Sequence, residues 1–343
     1  MSDRHTLLPE AGQSRSSLES LILESTAGRL HFSESLPGHQ TAWDSTSLGE
    51  LKTCPKMYFY SNILGLRSRR EAIPLTFGIH YHSALELYDR LIFRGSEHND
   101  AVKLVVAYLG KVCSEPVDPA DPEGPQRLWS PDDTKRNSFT LIRSVVWYLE
   151  HFRHDPLQTL ARPNGDPMVE LSFRFELDSF KTAEGKPYLL CGHMDRVARF
   201  GEAGVYVVDR KTSGFQLNSN YFDKFSPDNQ MSLYTFAAKV VLQVPALGVV
   251  IDGVQLAAGF ARFQRGFANR SQNQIEEWVD DLGFWLGMAL RYAEQRHWPH
   301  NDKACGMYGG CKYLQICNRD PSTRAAHLNL NFERKPWDPL VPR

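Results

Sequence analysis

Periodicity along the chain predicts an α/β fold of the α+β kind, with a helical region inserted ahead of a sheet that carries further helices. Three observations point there. Apolar residues recur at helical spacing from about residue 48 to residue 154. The period then changes, because MVELSFRFEL (168–177) alternates as a strand and two further strands, carrying Asp195 and Asp209, follow it. Beyond them a helical pattern, an apolar strand pattern and a second helical pattern succeed one another.

Taken in order, residues 1–40 are polar, rich in Ser and Gly, and predict a mobile tail with a short helix around Leu18–Ile22. Ser45 or Ser47 is placed to cap a helix over Leu48–Tyr60, since Ser47-Leu-Gly-Glu50 fits a capping box. Phe77–Phe93 is strongly apolar with polar residues at helical intervals, as in a longer buried helix. Asp100–Cys113 and Phe139–His154 predict two more helices, and the proline-rich stretch 114–133 between them predicts a loop. Lys181–Lys186 reads as the turn leaving the first strand. Gln230–Val244 is predicted helical, Gly248–Ala258 an apolar strand, and Gln272–Arg296 a long amphipathic helix. Residues 321–343 are expected as a C-terminal tail. That leaves 41–320 as one domain whose helical part covers about 78–155.

The chemistry concentrates in GHMDRVARFGEAGVYVVDRKTSG (192–214), two apolar runs joined by Phe200-Gly-Glu-Ala-Gly204. Two glycines in a short polar break signal a hairpin. With 200–204 as the loop, Arg199 pairs with Val205, and Asp195 falls opposite Asp209 with the Cβ atoms about 5 Å apart. Alternation puts Lys211 on the face of Asp209. A loop of different parity would send Asp195 to the other face. Two carboxylates and an ammonium converging at the end of an apolar hairpin suggest a divalent-metal site beside a cation, the chemistry of phosphodiester hydrolysis. The competing reading is a surface hairpin whose charges are solvated. Arg196 and Arg210 alternate away from the acids and are expected to be structural.

Bulk composition narrows the classes. The 343 residues are 42% hydrophobic and 23% charged, enough for one large core or two modest ones. No run approaches the eighteen or so apolar residues of a membrane span. Met1–Ser17 holds acids and no apolar core, so no secretory leader is expected and a cytoplasmic location is. A net charge of −1 gives no global attraction to nucleic acid, so any such binding needs a local basic groove. Of six cysteines, Cys305, Cys311 and Cys317 fall within thirteen residues, which points to metal or catalysis rather than disulfides.

Six segments then carry a resemblance. SLGELKTCPKMYFYSNILGL sets a Cys-Pro before an aromatic helix; FGIHYHSALELYD holds Gly78 and His82 at Gly-x-x-x-His spacing; GHMDR matches Gly-x-x-Asp-Arg. VVDRKTSG carries Asp-x-Lys, QMSLY carries Gln-x-x-x-Tyr, and CGMYGGCKYLQIC closes the series. In this order, from about Ser45 to Cys317, they resemble the PD-(D/E)XK nuclease superfamily. Within it they resemble the RecB/AddB-like branch with an iron–sulfur staple, which includes CRISPR-adaptation exonucleases and phage-encoded nucleases.

That resemblance implies a restriction-endonuclease-like core with a central mixed sheet. It implies a metal-dependent deoxyribonuclease, an exonuclease on single strands or duplex ends. Asp195, Asp209 and His82 become ligands of Mg²⁺ or Mn²⁺, and Lys211 stabilises charge at phosphorus. Glu86 shares the helix face of His82, as a further ligand or a solvated carboxylate. Gln230 and Tyr234 share a face as well, either beside the catalytic centre or in capping and packing. Cys54 is the natural fourth thiolate to Cys305, Cys311 and Cys317. Four thiolates suit a [4Fe–4S] cluster or tetrahedral zinc, and the wide spacing favours the cluster. The branch's common pattern sets two of the C-terminal cysteines nearer together. Cys113 and Cys191 are expected as buried apolar residues. Arg67, Arg69 and Arg70, with Arg262 and Arg265, are candidates for nucleic-acid contact or charged loop residues. DNA is the implied partner. The alternative is a non-catalytic, nuclease-fold scaffold subunit of a repair, recombination or phage replication complex. No Gly-x-x-x-x-Gly-Lys-Ser/Thr loop is present, so a helicase or recombination partner would be a separate protein.

Overall fold

The structure, a computed structural model, describes residues 15–69, 72–117, 120–307 and 310–342. The chain opens with α1 (Arg15–Thr26), β1 (Ala42–Trp43), α2 (Ser45–Thr53), α3 (Pro55–Tyr58) and β2 (Leu66–Ser68). The helical stretch follows as α4 (Ile73–Phe93), α5 (His98–Val112), the short strands β3 (Ser114–Pro116) and β4 (Gln126–Leu128), and α6 (Ser138–His151). Then come β5 (Leu157–Thr159), β6 (Val169–Lys181), β7 (Pro187–Phe200), β8 (Gly204–Ser213), α7 (Ser219–Asp223), α8 (Asn229–Val240), β9 (Ala246–Leu256) and β10 (Ala261–Asn269). The chain ends through α9 (Gln272–Gln295), α10 (Leu314–Cys317), α11 (Arg324–Asn331) and β11 (Phe332–Arg334). A central mixed sheet flanked by helices results, the expected fold class.

Two compact units are formed from interleaved stretches: residues to 70 with 173–192 and 276–342, and residues 71–172 with 193–275. In the first, the predicted helix over Leu48–Tyr60 is capped by Asp44 rather than by Ser45 or Ser47. Asp44 Oδ1 accepts the Ser47 N–H at 2.8 Å, so Ser47 is the third helical residue of the capping box. The helix also breaks at Cys54, whose extended backbone suits a residue before proline, and resumes at Pro55. Both stretches expected as tails carry packed elements in their described residues. Ile22, Phe32 and His39 are buried, and β11 pairs antiparallel with β2 through Phe332↔Ser68.

In the second unit, α4, α5 and α6 bury Phe77, Tyr81, Leu85, Val105, Leu109, Leu141 and Val145 in one core with Val254 and Leu256 of β9. Here β7 and β8 are antiparallel, β8 and β9 parallel, and β9 and β10 antiparallel. Helix α8 packs on β8 and β9, and α4 on β8. The β7–β8 register is the expected one, with Arg199 opposite Val205. Gly201 at φ 46° and Gly204 at φ 119° supply the left-handed backbone that the short connection needs. One of two open alternatives is corrected: the run around Arg262 and Arg265, weighed as a nucleic-acid contact or a charged loop, is strand β10 rather than a loop. Gly266 and the alternating Phe263 and Phe267 let it pair with β9 along its length.

Candidate active site

The antiparallel pairing of β7 and β8 runs from Phe200↔Gly204 to Arg196↔Val208. At the next residue a side chain takes over. Asp195 Oδ2 accepts the backbone N–H of Arg210 at 2.7 Å, so the carboxylate is held against β8 beside Asp209. Both acids are buried. Helix α4 brings in His82, whose Nδ1 lies 3.2 Å from Asp195 Oδ1.

The third member of this group is Glu170, near the start of β6. One ligand atom each from His82, Glu170 and Asp195 lies within 4.8 Å of the other two. Glu170 has φ 47°, left-handed backbone that a residue with a long side chain adopts at a cost. Strand alternation alone gave no reason to single it out, since an acid at a polar strand position looks like any solvent-facing residue. The strain is visible only in three dimensions. Glu86, the expected neighbour of His82, is instead paired with Arg90 on its own helix at 2.8 Å.

Lys211 is held from two sides. Its Nζ lies 2.8 Å from Asp209 Oδ2 and donates to Gln230 Oε1 at 2.7 Å. Gln230 in turn donates to the Tyr234 hydroxyl at 3.0 Å, and Asp228 caps α8 by accepting the Gln230 N–H at 2.8 Å. The structure therefore brings Asp209, Lys211, Gln230 and Tyr234 into one chain of contacts.

Electrostatics separates the two acids. Burial opposes ionisation of Asp195, but His82 and the Arg210 N–H outweigh it and hold the carboxyl well below the usual range. For Asp209, burial and the charge of Asp195 together exceed the help from Lys211, and its pKa is raised. Burial works against a charged His82 and a charged Lys211 as well. The facing carboxylates win in both cases and raise their pKa values, so Lys211 is an ammonium.

Arg196 and Arg210, expected to be structural, make buried ion pairs: Arg210 with Asp89 at 2.6 Å, Arg196 with Asp155 at 3.2 Å. Arg265 differs from expectation. It turns inward, with 2.6 Å to Asp155 and 3.2 Å to Asp252, its cross-strand partner on β9, because these largely buried acids hold its guanidinium more strongly than water does. Arg67 donates to the Ser61 carbonyl at 2.7 Å, while Arg69 and Arg262 are exposed. Arg70 lies outside the described residues.

In the other unit, Cys54 Sγ accepts the Asn301 N–H at 3.4 Å, and the Cys311 N–H donates to Cys305 O at 2.9 Å. Burial raises the Cys317 thiol to about 11 and also raises Cys311, and the charges of Cys54 and Cys305 push both further in the same direction. Cys54 is thus brought into the field of the three C-terminal cysteines, 250 or so positions away in the chain. Arg324, whose Nη2 donates to Cys317 O at 3.0 Å, and Lys56 add positive charge there. Cys113 and Cys191 are buried, as expected.

Among solved structures, the chain is similar to an Eubacterium rectale protein whose exonuclease assignment is provisional. That match has 11% identity and a TM-score of 0.46, and covers 82% of this chain and 89% of that one. It is also similar to the protein SSO0001, at 12% identity and a TM-score of 0.30, covering 90% of this chain and 97% of that one. No curated protein matches the sequence. Residues 43–318 match the family model of the PD-(D/E)XK nuclease superfamily, the span that holds every acid, lysine and cysteine described above, and the chain belongs to that superfamily.

Proposed function

We propose that this chain is a metal-dependent deoxyribonuclease. The observation that carries the proposal is the convergence of His82, Glu170 and Asp195 beside the Asp209–Lys211 pair. One imidazole and two carboxylates fit Mn²⁺ or Mg²⁺, both of which accept oxygen ligands, with Mn²⁺ the more tolerant of nitrogen. Asp209, close enough to feel the charge of Asp195, would complete the set. When bound, such an ion supplies Lewis-acid polarisation of a phosphate and acidifies water.

The chain's own residues do the rest. Asp209 and Gln230 fix the Lys211 ammonium, whose raised pKa keeps its proton in place, so it acts by stabilising charge on a phosphate rather than as a neutral base. Tyr234 orients Gln230. Asp195 orients His82 and keeps its own charge through the Arg210 N–H.

The order of the RecB-like motifs extends the reading to an exonuclease, and Cys54, Cys305, Cys311 and Cys317 to holders of a [4Fe–4S] cluster that clamps its unit. Lys56 and Arg324 support the latter by offsetting the negative charge of four thiolates. Wild-type protein with Mn²⁺ should shorten an end-labelled oligonucleotide. Lys211→Ala should abolish the cleavage while the circular dichroism spectrum stays that of the folded protein, and cleavage at the wild-type rate would sink the assignment. Protein purified without oxygen should hold stoichiometric iron and sulfide; colourless protein holding zinc refutes the cluster.

A further inference from the structure

Where β8 leaves the site, two exposed aromatic rings flank a loop in which Lys135 and Arg136 follow Asp132 and Asp133. Lys211 is followed by Thr212 and Ser213, the end of β8, and then by Gly214 and Phe215. The Phe215 N–H donates to Ser213 Oγ at 3.0 Å, closing a tight turn that leaves the phenyl ring 82% exposed. The segment preceding α6 lies against this turn, with Lys135 Nζ donating to Gly214 O at 3.4 Å. Asp133, in the same loop, is taken up by the N–H groups of Lys135 and Arg136 and by the Arg136 guanidinium at 3.7 Å. Lys135 itself is exposed.

Helix α6 continues the pattern. Phe139 is 70% exposed and Trp147 41% exposed, with Arg143 between them at i+4 spacing, so the three form one stripe. Arg143 Cζ lies 5.5 Å from the Phe139 ring centre and 5.0 Å from that of Trp147, and its Nη2 donates to Ala257 O at 3.0 Å. The ring–cation–ring ladder is therefore held in place from a neighbouring loop.

Rings left in water beside fixed cations, continuous with the strand that carries Lys211, match one occupant in particular. A single-stranded nucleic acid offers base faces to stack on rings and phosphates to meet the cations. A duplex keeps its base faces inside the stack, and an apolar protein partner would strand the cations without counter-charge. We propose that Phe215, Lys135, Phe139, Arg143 and Trp147 form a track for single-stranded nucleic acid leading to the Lys211 site. The destination rests on the nuclease reading; the binding itself rests on the stripe alone.

Binding of labelled oligothymidine to wild-type protein in EDTA, where no metal-dependent cleavage occurs, tests the track by fluorescence anisotropy. Phe139→Ala, Trp147→Ala and Phe215→Ala should each weaken binding about tenfold or more while the circular dichroism spectrum and Tm stay unchanged. Arg143→Gln should reduce the salt dependence by roughly one phosphate contact. Wild-type affinity in all three aromatic variants, or a blunt duplex bound as tightly as the single strand, overturns the track. Hydrolysis of bis(p-nitrophenyl) phosphate with Mn²⁺ separates the two readings, since this small diester reaches only the Lys211 site. Lys211→Ala should lose this hydrolysis. A wild-type protein that binds oligothymidine through the stripe yet hydrolyses neither substrate refutes the nuclease reading and leaves the track standing.

Discussion

Two clusters of buried charge lie a few residues apart on the same strands, and they are built differently. In the first, Asp89, Asp155 and Asp252 meet Arg196, Arg210 and Arg265, with contacts from 2.6 to 3.7 Å. Acids and guanidinium groups are equal in number, so the protein neutralises itself there. In the second, Glu170, Asp195 and Asp209 gather with Lys211 and His82, and acids outnumber permanent cations. Neighbours in sequence, Asp195 with Arg196 and Asp209 with Arg210, divide between the two. Helix α4 serves both, with His82 in the second and Asp89 seven residues on in the first. The excess of negative charge thus gathers at the site proposed to take a metal ion, and the closed cluster anchors the helix that delivers the histidine.

The largest expected effect comes from breaking the closed cluster. Asp89→Ala leaves the buried Arg210 and Arg196 short of a counter-charge, and removing one partner of a buried pair costs about 3–5 kcal/mol. Urea denaturation measures this. A loss below about 1 kcal/mol would erase the contrast between the clusters.

The open cluster should respond to metal instead. A ligand that binds only the folded state adds about 2.7 kcal/mol at one hundred times its Kd, so Mn²⁺ should raise the Tm of wild-type protein. Glu170→Gln and Asp195→Asn should lose most of that shift, whereas Glu86→Gln, at a side chain paired with Arg90, should keep it. An equal Mn²⁺ shift in Glu170→Gln would remove that residue from the site.

Much of this was legible in the sequence, and the reasons are local. The Gly201 and Gly204 turn fixed the parity of the β7–β8 register, so Asp195 and Asp209 came together as alternation required. Helical spacing found α4, and the resemblance of Gly78-x-x-x-His82 and Gln230-x-x-x-Tyr234 to the family's motifs singled out His82, Gln230 and Tyr234. What the sequence hid depends on long-range neighbours. Glu170 sits in a plain alternating run, and only its left-handed backbone and its distance to His82 mark it. Arg265 lies in a run of arginines and aromatics that suits a nucleic-acid surface. Its capture by Asp155, 110 positions earlier, is a tertiary event. The stripe on α6 was read as an ordinary helix because exposure of Phe139 and Trp147 cannot be told from burial by period alone.

The smallest effect is the most discriminating, because its sign is opposite to that at Asp89. Burial and the charge of Asp195 raise the pKa of Asp209 above its unfolded value, so the folded protein holds that proton more tightly than the unfolded chain does. The stabilisation from this group is present below the ordinary aspartate pKa of about 4 and is lost as pH rises through the higher folded value. At neutral pH without metal, the ionised carboxylate therefore opposes folding, although Lys211 offsets part of the cost. Asp209→Asn removes the charge at nearly constant volume. It should make the metal-free protein more stable at pH 7, by about 1 kcal/mol, and leave it little changed near pH 4. Urea denaturation at the two pH values in EDTA reads the difference. A destabilised Asp209→Asn at pH 7 would mean that Lys211 already balances this acid, and that the second cluster is as closed as the first.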